Sequence, residues 1–158
     1  MSGQHASRHR ARELVVHGLY ERQLSGRPDR DIAASSIADP GYGIAEDADD
    51  AAAPDLDAAY FGELWRGITG EYDALLAEIA PHVERGMDAL APVERAILAV
   101  GAWELTHRLE IPYRVVINEA VELAKRYGGT DGYKFVNGVL DKLAARLRAD
   151  EIRAAGRR

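Results

Sequence analysis

The chain has 158 residues, of which 47% are hydrophobic and 29% charged, with a formal net charge of −6 and no cysteine. That length sustains one domain with a sizeable core, and the composition is globular rather than disordered. Lack of cysteine excludes disulfides, thiol nucleophiles and thiolate metal sites; no apolar run reaches the roughly 18 residues of a membrane span, so a soluble, cytoplasmic protein is expected.

The first predicted helix runs from about Arg8 to Leu24 and stops at Ser25-Gly26-Arg27-Pro28. It opens on Arg8-His9-Arg10-Ala11-Arg12, a cationic run in an acidic protein, and phosphate is the commonest anion to meet such a run. Helical angles put Ala11, Val15, Gly18, Leu19 and the stem of Arg22 on a core face. His9, Arg12, Glu13, Val16 and Tyr20 share an adjacent face. A guanidinium and an aromatic ring on one stripe suit an unstacked nucleotide, with charge for the phosphate and a π-face for the base. Read as a solvated face, the same residues are cations around a tyrosine at the rim of the core.

A short helix is expected over Arg30 to Ile37. Residues 31 to 65 contain no Lys or Arg but nine acids, which leaves 17 acids against 20 bases elsewhere. Charge is therefore segregated into a basic body and an acidic loop over 38–56, whose Ala/Asp-rich stretch after Asp39-Pro40-Gly41 reads as long and solvated. Asp57 is placed to cap a long helix from Ala58 to Ile79, with Tyr60, Phe61, Leu64, Trp65, Ile68, Tyr72, Leu75, Leu76 and Ile79 as its buried stripe. Pro81 ends it.

Pro92 suits the first turn of the next helix, which carries Val93, Ile97, Leu98, Val100, Leu105 and Leu109. Gly101 in its interior costs about 1 kcal/mol relative to Ala, which points to a close helix approach. Ile111-Pro112 restarts the chain into a helix from Val115 to Tyr127, and Gly128-Gly129 stops it. Thr130 or Asp131 can cap a final helix reaching about Arg148, after which the last ten residues are polar and expected to fray. Five substantial helices with no alternating strand pattern predict an all-α helical bundle.

On the final helix, Tyr133, Val136, Leu140, Leu143 and Leu147 form the core stripe. Phe135 lies about 100° away from it. Asp131, Gly138 and Lys142 flank Phe135, with Lys134 farther round. Such a phenylalanine is either a stacking platform or a ring packed under a neighbouring helix.

Catalytic patterns are weak. Glu104 and His107 have the Glu-x-x-His spacing of a bundle metal site, but that architecture needs a second copy and two further glutamates. Glu104 and His107 are more simply surface residues, whereas His5, His9, Glu13, His17 and Glu21 follow one another at spacings of four, which could also chelate a cation. Gly128 to Gly132 lacks the lysine and spacing of a P-loop. No enzyme, metal or cofactor is expected.

Four segments carry a resemblance. Pro112-Tyr113-Arg114-Val115-Val116-Ile117-Asn118-Glu119-Ala120-Val121-Glu122-Leu123-Ala124-Lys125 resembles the NusB family of transcription antitermination factors, as does Lys134-Phe135-Val136-Asn137-Gly138-Val139-Leu140-Asp141-Lys142. Arg10-Ala11-Arg12-Glu13 with Leu19-Tyr20, and Val93-Glu94-Arg95-Ala96-Ile97-Leu98, match the same family in the same order. The resemblance implies two packed three-helix bundles forming one RNA-binding domain over 1–158, with 1–7 and 149–158 flexible. It implies a non-enzymatic factor that binds boxA, a single-stranded RNA element of nascent transcripts, notably of ribosomal RNA operons. The implied partners are NusE, a ribosomal small-subunit protein, and the antitermination complex on RNA polymerase, with no membrane involved. The alternative is a helical adaptor that makes no RNA contact itself.

Carried onto this chain, the family's RNA-binding positions fall at Arg8, His9, Arg10, Arg12, Tyr20, Glu94, Asp131, Lys134, Phe135 and Asn137. The arginines would hold phosphates and Tyr20 and Phe135 would stack bases. Glu94 and Asn137 would read base edges, and Asp131 would tune affinity or cap its helix. His9 stands where many relatives carry another basic residue, and Gly132-Tyr133 departs from the more polar residues the pattern expects.

Overall fold

The computed structural model describes residues 2–39 and 55–156, and the described chain is helical throughout, with no strand. The helices are α1 (Ser2–Ser25), α2 (Asp29–Ala38), α3 (Ala58–Gly70), α4 (Tyr72–Ile79), α5 (Pro92–His107), α6 (Tyr113–Tyr127), α7 (Gly132–Leu147) and α8 (Ala149–Gly156). Short 3₁₀ turns lie at Ala80–His82 and Met87–Ala89. The acidic stretch expected over 38–56 falls largely on 40–54, outside the described residues. None of the described helices is long and apolar enough to cross a membrane. The chain divides into two compact units, Met1–Thr69 and Gly70–Arg158.

In the first unit, α3 buries Tyr60, Phe61, Leu64, Trp65 and Ile68. Fully burying each of the aliphatic side chains contributes about 1.5–3 kcal/mol. Asp57 caps this helix as its position suggests, its carboxylate accepting the Tyr60 N–H at 2.9 Å. Trp65 donates its indole N–H to the Asp29 carbonyl at 3.0 Å, which ties α3 to the start of α2. Gly18 lets α1 approach closely, for a Cβ there would stand 2.7 Å from the Trp65 ring and 3.3 Å from Ile32. Two expectations are corrected here. Helix α1 begins at Ser2, six residues ahead of the start expected near Arg8. The single helix expected from Ala58 to Ile79 is interrupted after Gly70, where Glu71 leaves helical geometry at φ −121°, ψ 17°.

In the second unit, α5 is the central element: Ala96 through Leu105 are all buried, and α4, α6 and α7 pack around it. Gly101 answers the close approach its position demands, because a Cβ would lie 2.9 Å from both methyls of Leu140 on α7. Pro92 occupies the first turn, as its fixed φ favours. Within the polar C-terminal stretch 149–158, the chain forms α8 from Ala149 to Gly156. Its anchor is Arg148, only 3% exposed, whose guanidinium donates to the carbonyls of Glu104, Leu105, Arg108 and Ile111 and to the Glu151 carboxylate.

Candidate nucleic-acid interface

A groove of about 580 Å³ opens in the second unit beside the N-terminal turns of α7. Phe135 stands half-buried on its α7 wall, with Asp131, Lys134, Gly138 and Lys142 around it, the flank that helical angles assign to that ring. The facing wall comes from the 3₁₀ segment, where Val83 and Leu90 are buried and supply apolar surface. His82 and Arg85 add positive or polar groups from that wall, and Glu84 a carboxylate. Glu94, from the first turn of α5, completes the groove. An aromatic face over an apolar floor with amine and guanidinium groups at the rim suits a planar, charged ligand.

Backbone geometry shapes this site at two positions. Gly132 leaves room for Glu94: a Cβ there would lie 3.0 Å from the Glu94 Oε1, so a side chain at 132 would make the carboxylate give way by a few tenths of an ångström. Asp131 has φ +66°, a left-handed conformation that Asp tolerates better than most residues. Asp131 holds the N-cap position of α7 but makes no side-chain capping bond, which corrects the expectation that it or Thr130 caps the helix. Its carboxylate instead faces the Lys134 ammonium at 3.3 Å, with both side chains 65% exposed. A carboxylate so placed competes with an incoming phosphate for that lysine. Asn137 is exposed but does not line the groove; it lies one turn beyond Tyr133 on a neighbouring face.

The first unit rearranges the cationic run. Arg10 is 2% exposed and its guanidinium pairs with the equally buried Glu13 carboxylate. Arg12 is 3% exposed and lies 5.5 Å from the centroid of the Tyr60 ring. Arg8 covers the same ring at 4.6 Å and sits 3.9 Å from Asp57, while keeping part of its side chain in solvent. The expectation of a solvated stripe through His9, Arg12, Glu13, Val16 and Tyr20 is therefore corrected: Arg12, Glu13 and Val16 are buried. α1 is covered on more than one face from residue 10 to residue 16, so a helical wheel with a single core face misplaces them. Tyr20 remains 44% exposed, His9 half-exposed, and both stay accessible to a ligand.

The metal-like spacings resolve into other contacts. Glu104, expected at the surface, is buried, whereas His107 is exposed, reaches the Glu71 carboxylate at 2.7 Å and leans on the Trp103 ring. Among the described residues no three His, Asp or Glu side chains converge on a metal-sized site. Sequence reasoning did not single out Val83, Arg85 or Leu90 as groove residues. They come from an irregular segment with no periodic signal, and only the packing of the second unit brings them opposite Phe135.

Fold and groove together define a protein that is all-helical among its described residues and whose second unit carries an aromatic, mixed-charge groove. Residues 9–145 match the model of the NusB family, and the chain belongs to that family. It is 50% identical over 153 residues to a transcription antitermination protein NusB of Paraburkholderia phymatum, a match covering 97% of this chain and 98% of the relative. The protein of the same description from Azoarcus sp. is 50% identical over 149 residues, covering 94% and 90% of the two chains. The solved structure of T. maritima NusB is 28% identical and superposes with a TM-score of 0.68 over 87% of this chain and 89% of that one.

Proposed function

We propose that this protein is a non-enzymatic antitermination factor of the cytoplasm that binds boxA-type single-stranded RNA in nascent transcripts, notably those of ribosomal RNA operons. In this reading it acts with NusE in the complex on RNA polymerase. The observation that carries the reading is the convergence of Glu94, Asp131, Lys134 and Phe135 on one groove, although Glu94 is 37 residues from Asp131 in sequence. Phe135 offers its face to an unstacked base, and Lys134, Lys142 and Arg85 hold the flanking phosphates. The Glu94 carboxylate accepts a hydrogen bond from an exocyclic amino group, which Gly132 permits by leaving that space open. In the first unit, Arg8, His9 and Tyr20 are the accessible members of the proposed contact set, while Arg10 and Arg12 hold α1 in place.

Titration of labelled boxA RNA with and without NusE tests this function. Direct binding that weakens with salt, and weakens by about 1–3 kcal/mol in Phe135→Ala, is expected. RNA captured only through NusE, with Phe135→Ala indistinguishable from the wild type, would instead make the chain an adaptor.

A further inference from the structure

The cluster outside the groove with the clearest chemistry is the α6–α7 corner. Lys125, in the last turn of α6, places its Nζ 5.3 Å from the centroid of the Tyr133 ring. Lys134, in the first turn of α7, places its own Nζ 5.9 Å from the same centroid. Both distances are within cation–π range. Both lysines are exposed, and the ring is half-buried. The first unit shows the contrasting case: Tyr60 also carries two cations, Arg8 and Arg12, but Tyr60 is 2% exposed and its ring serves packing.

Helical angles place this corner next to the groove. On α7, Asn137 follows Tyr133 by four residues and Lys134 by three, so the three share one flank. Lys134 also lines the groove, and therefore stands between the Phe135 wall and the Tyr133 flank. The exposed Asn137 amide, outside the groove, presents both a donor and an acceptor there. Asp141, one turn farther along, puts a carboxylate at the far end of the flank, and Asp131 puts one at the near end. Between them lie an aromatic ring, two ammonium groups and an amide.

We propose that Tyr133, Lys125 and Asn137 form a second nucleotide subsite, reached by single-stranded RNA that leaves the groove over Lys134 and continues across the first turns of α7. The proposal rests on the RNA-binding reading of the groove and extends its footprint by Tyr133 and Lys125, beside Asn137, which the family resemblance already implies as an RNA contact. Phosphate exchanges for the ring as the partner of the two ammonium groups, and the freed face of Tyr133 takes the base. The N-terminal end of α7, with its positive dipole end and no side-chain cap, adds favourable field for that phosphate.

The test uses the full chain with NusE and two RNAs, the boxA element alone and the element extended by a few nucleotides at each end. For the extended RNA, Tyr133→Leu and Lys125→Gln are each expected to weaken binding about five- to tenfold, and Lys125→Gln to reduce the salt slope by about 0.7. Tyr133→Phe should keep most of the affinity, and Phe135→Leu should weaken both RNAs. Lys125 is solvent-exposed, so Lys125→Gln carries the test even if Tyr133→Leu perturbs the fold. Wild-type affinity and salt slope in both corner variants, with Phe135→Leu still impaired, would overturn the subsite and leave the groove reading intact. Loss of NusE capture without loss of RNA affinity would likewise overturn it. Absence of RNA binding by the wild type would overturn the groove reading and the subsite together.

Discussion

Replacing Arg148 tests the anchoring of the second unit. Its guanidinium reaches the Leu105 carbonyl at 2.8 Å, Ile111 and Arg108 at 2.9 Å, Glu104 at 3.2 Å and the Glu151 carboxylate at 2.5 Å. Glu104 and Arg108 would keep a backbone donor without it, because their carbonyls also accept the N–H groups of Arg108 and Ile111. Among the described residues, the Leu105 and Ile111 carbonyls receive no such backbone bond. Leaving two buried acceptors unsatisfied costs about 1–3 kcal/mol each, and losing the partly exposed Glu151 pair adds about 1 kcal/mol or less. Glu151 also accepts the Tyr113 N–H at 2.8 Å, so its position at the start of α6 loosens with the arginine. Arg148→Met is therefore expected to lower unfolding stability by about 3–5 kcal/mol, a large share of the roughly 5–15 kcal/mol typical of a domain. Arg148→Lys, a point charge lacking the planar fork, should recover only part of that. Urea unfolding followed by circular dichroism measures both. A loss below about 1 kcal/mol for Arg148→Met would refute the argument that this side chain satisfies the end of α5.

Arg10→Met should lower stability by about 3 kcal/mol, since it breaks the buried ion pair with the Glu13 carboxylate, while the salt slope of RNA binding stays near wild type; a flattened slope in a fully stable variant would return Arg10 to the phosphate-binding set. Asp131→Asn keeps a residue that tolerates the left-handed conformation but removes the carboxylate facing Lys134, so RNA affinity should rise about two- to fivefold. Unchanged or weaker binding, by anisotropy at fixed salt, would show that Asp131 does not compete with phosphate. Gly132→Ala is expected to leave the melting temperature within a few degrees of wild type while displacing Glu94 and reducing discrimination between cognate and base-substituted boxA RNA. Equal discrimination in that variant would remove Glu94 from base recognition.

Periodicity alone specifies much of this protein. The stripe of Tyr60, Phe61, Leu64, Trp65 and Ile68 is buried as a 3.6-residue repeat requires, and Asp57, Pro92 and Gly101 do what local chemistry asks of a cap, a first turn and a close helix contact. The flank of Phe135 follows from helical angles because Asp131, Gly138 and Lys142 belong to the same helix as the ring or to its cap. Family membership was legible too, in the long ordered segments around Asn118 and Phe135.

What the sequence could not determine is burial that depends on neighbours distant in the chain. Arg10 and Arg12 read as surface cations because arginine is usually exposed, yet α1 is covered on more than one face and its guanidinium groups find Glu13 and Tyr60. Arg148 lay in a polar stretch with no periodic signal; its role exists only where the end of α5 and the start of α6 meet the start of α8. The wall of Val83, Arg85 and Leu90 opposite Phe135 is likewise a product of packing. Local propensity and spacing set which helices form and which faces are apolar. Only the tertiary structure decides which polar groups lose their water, because that depends on what each helix is packed against.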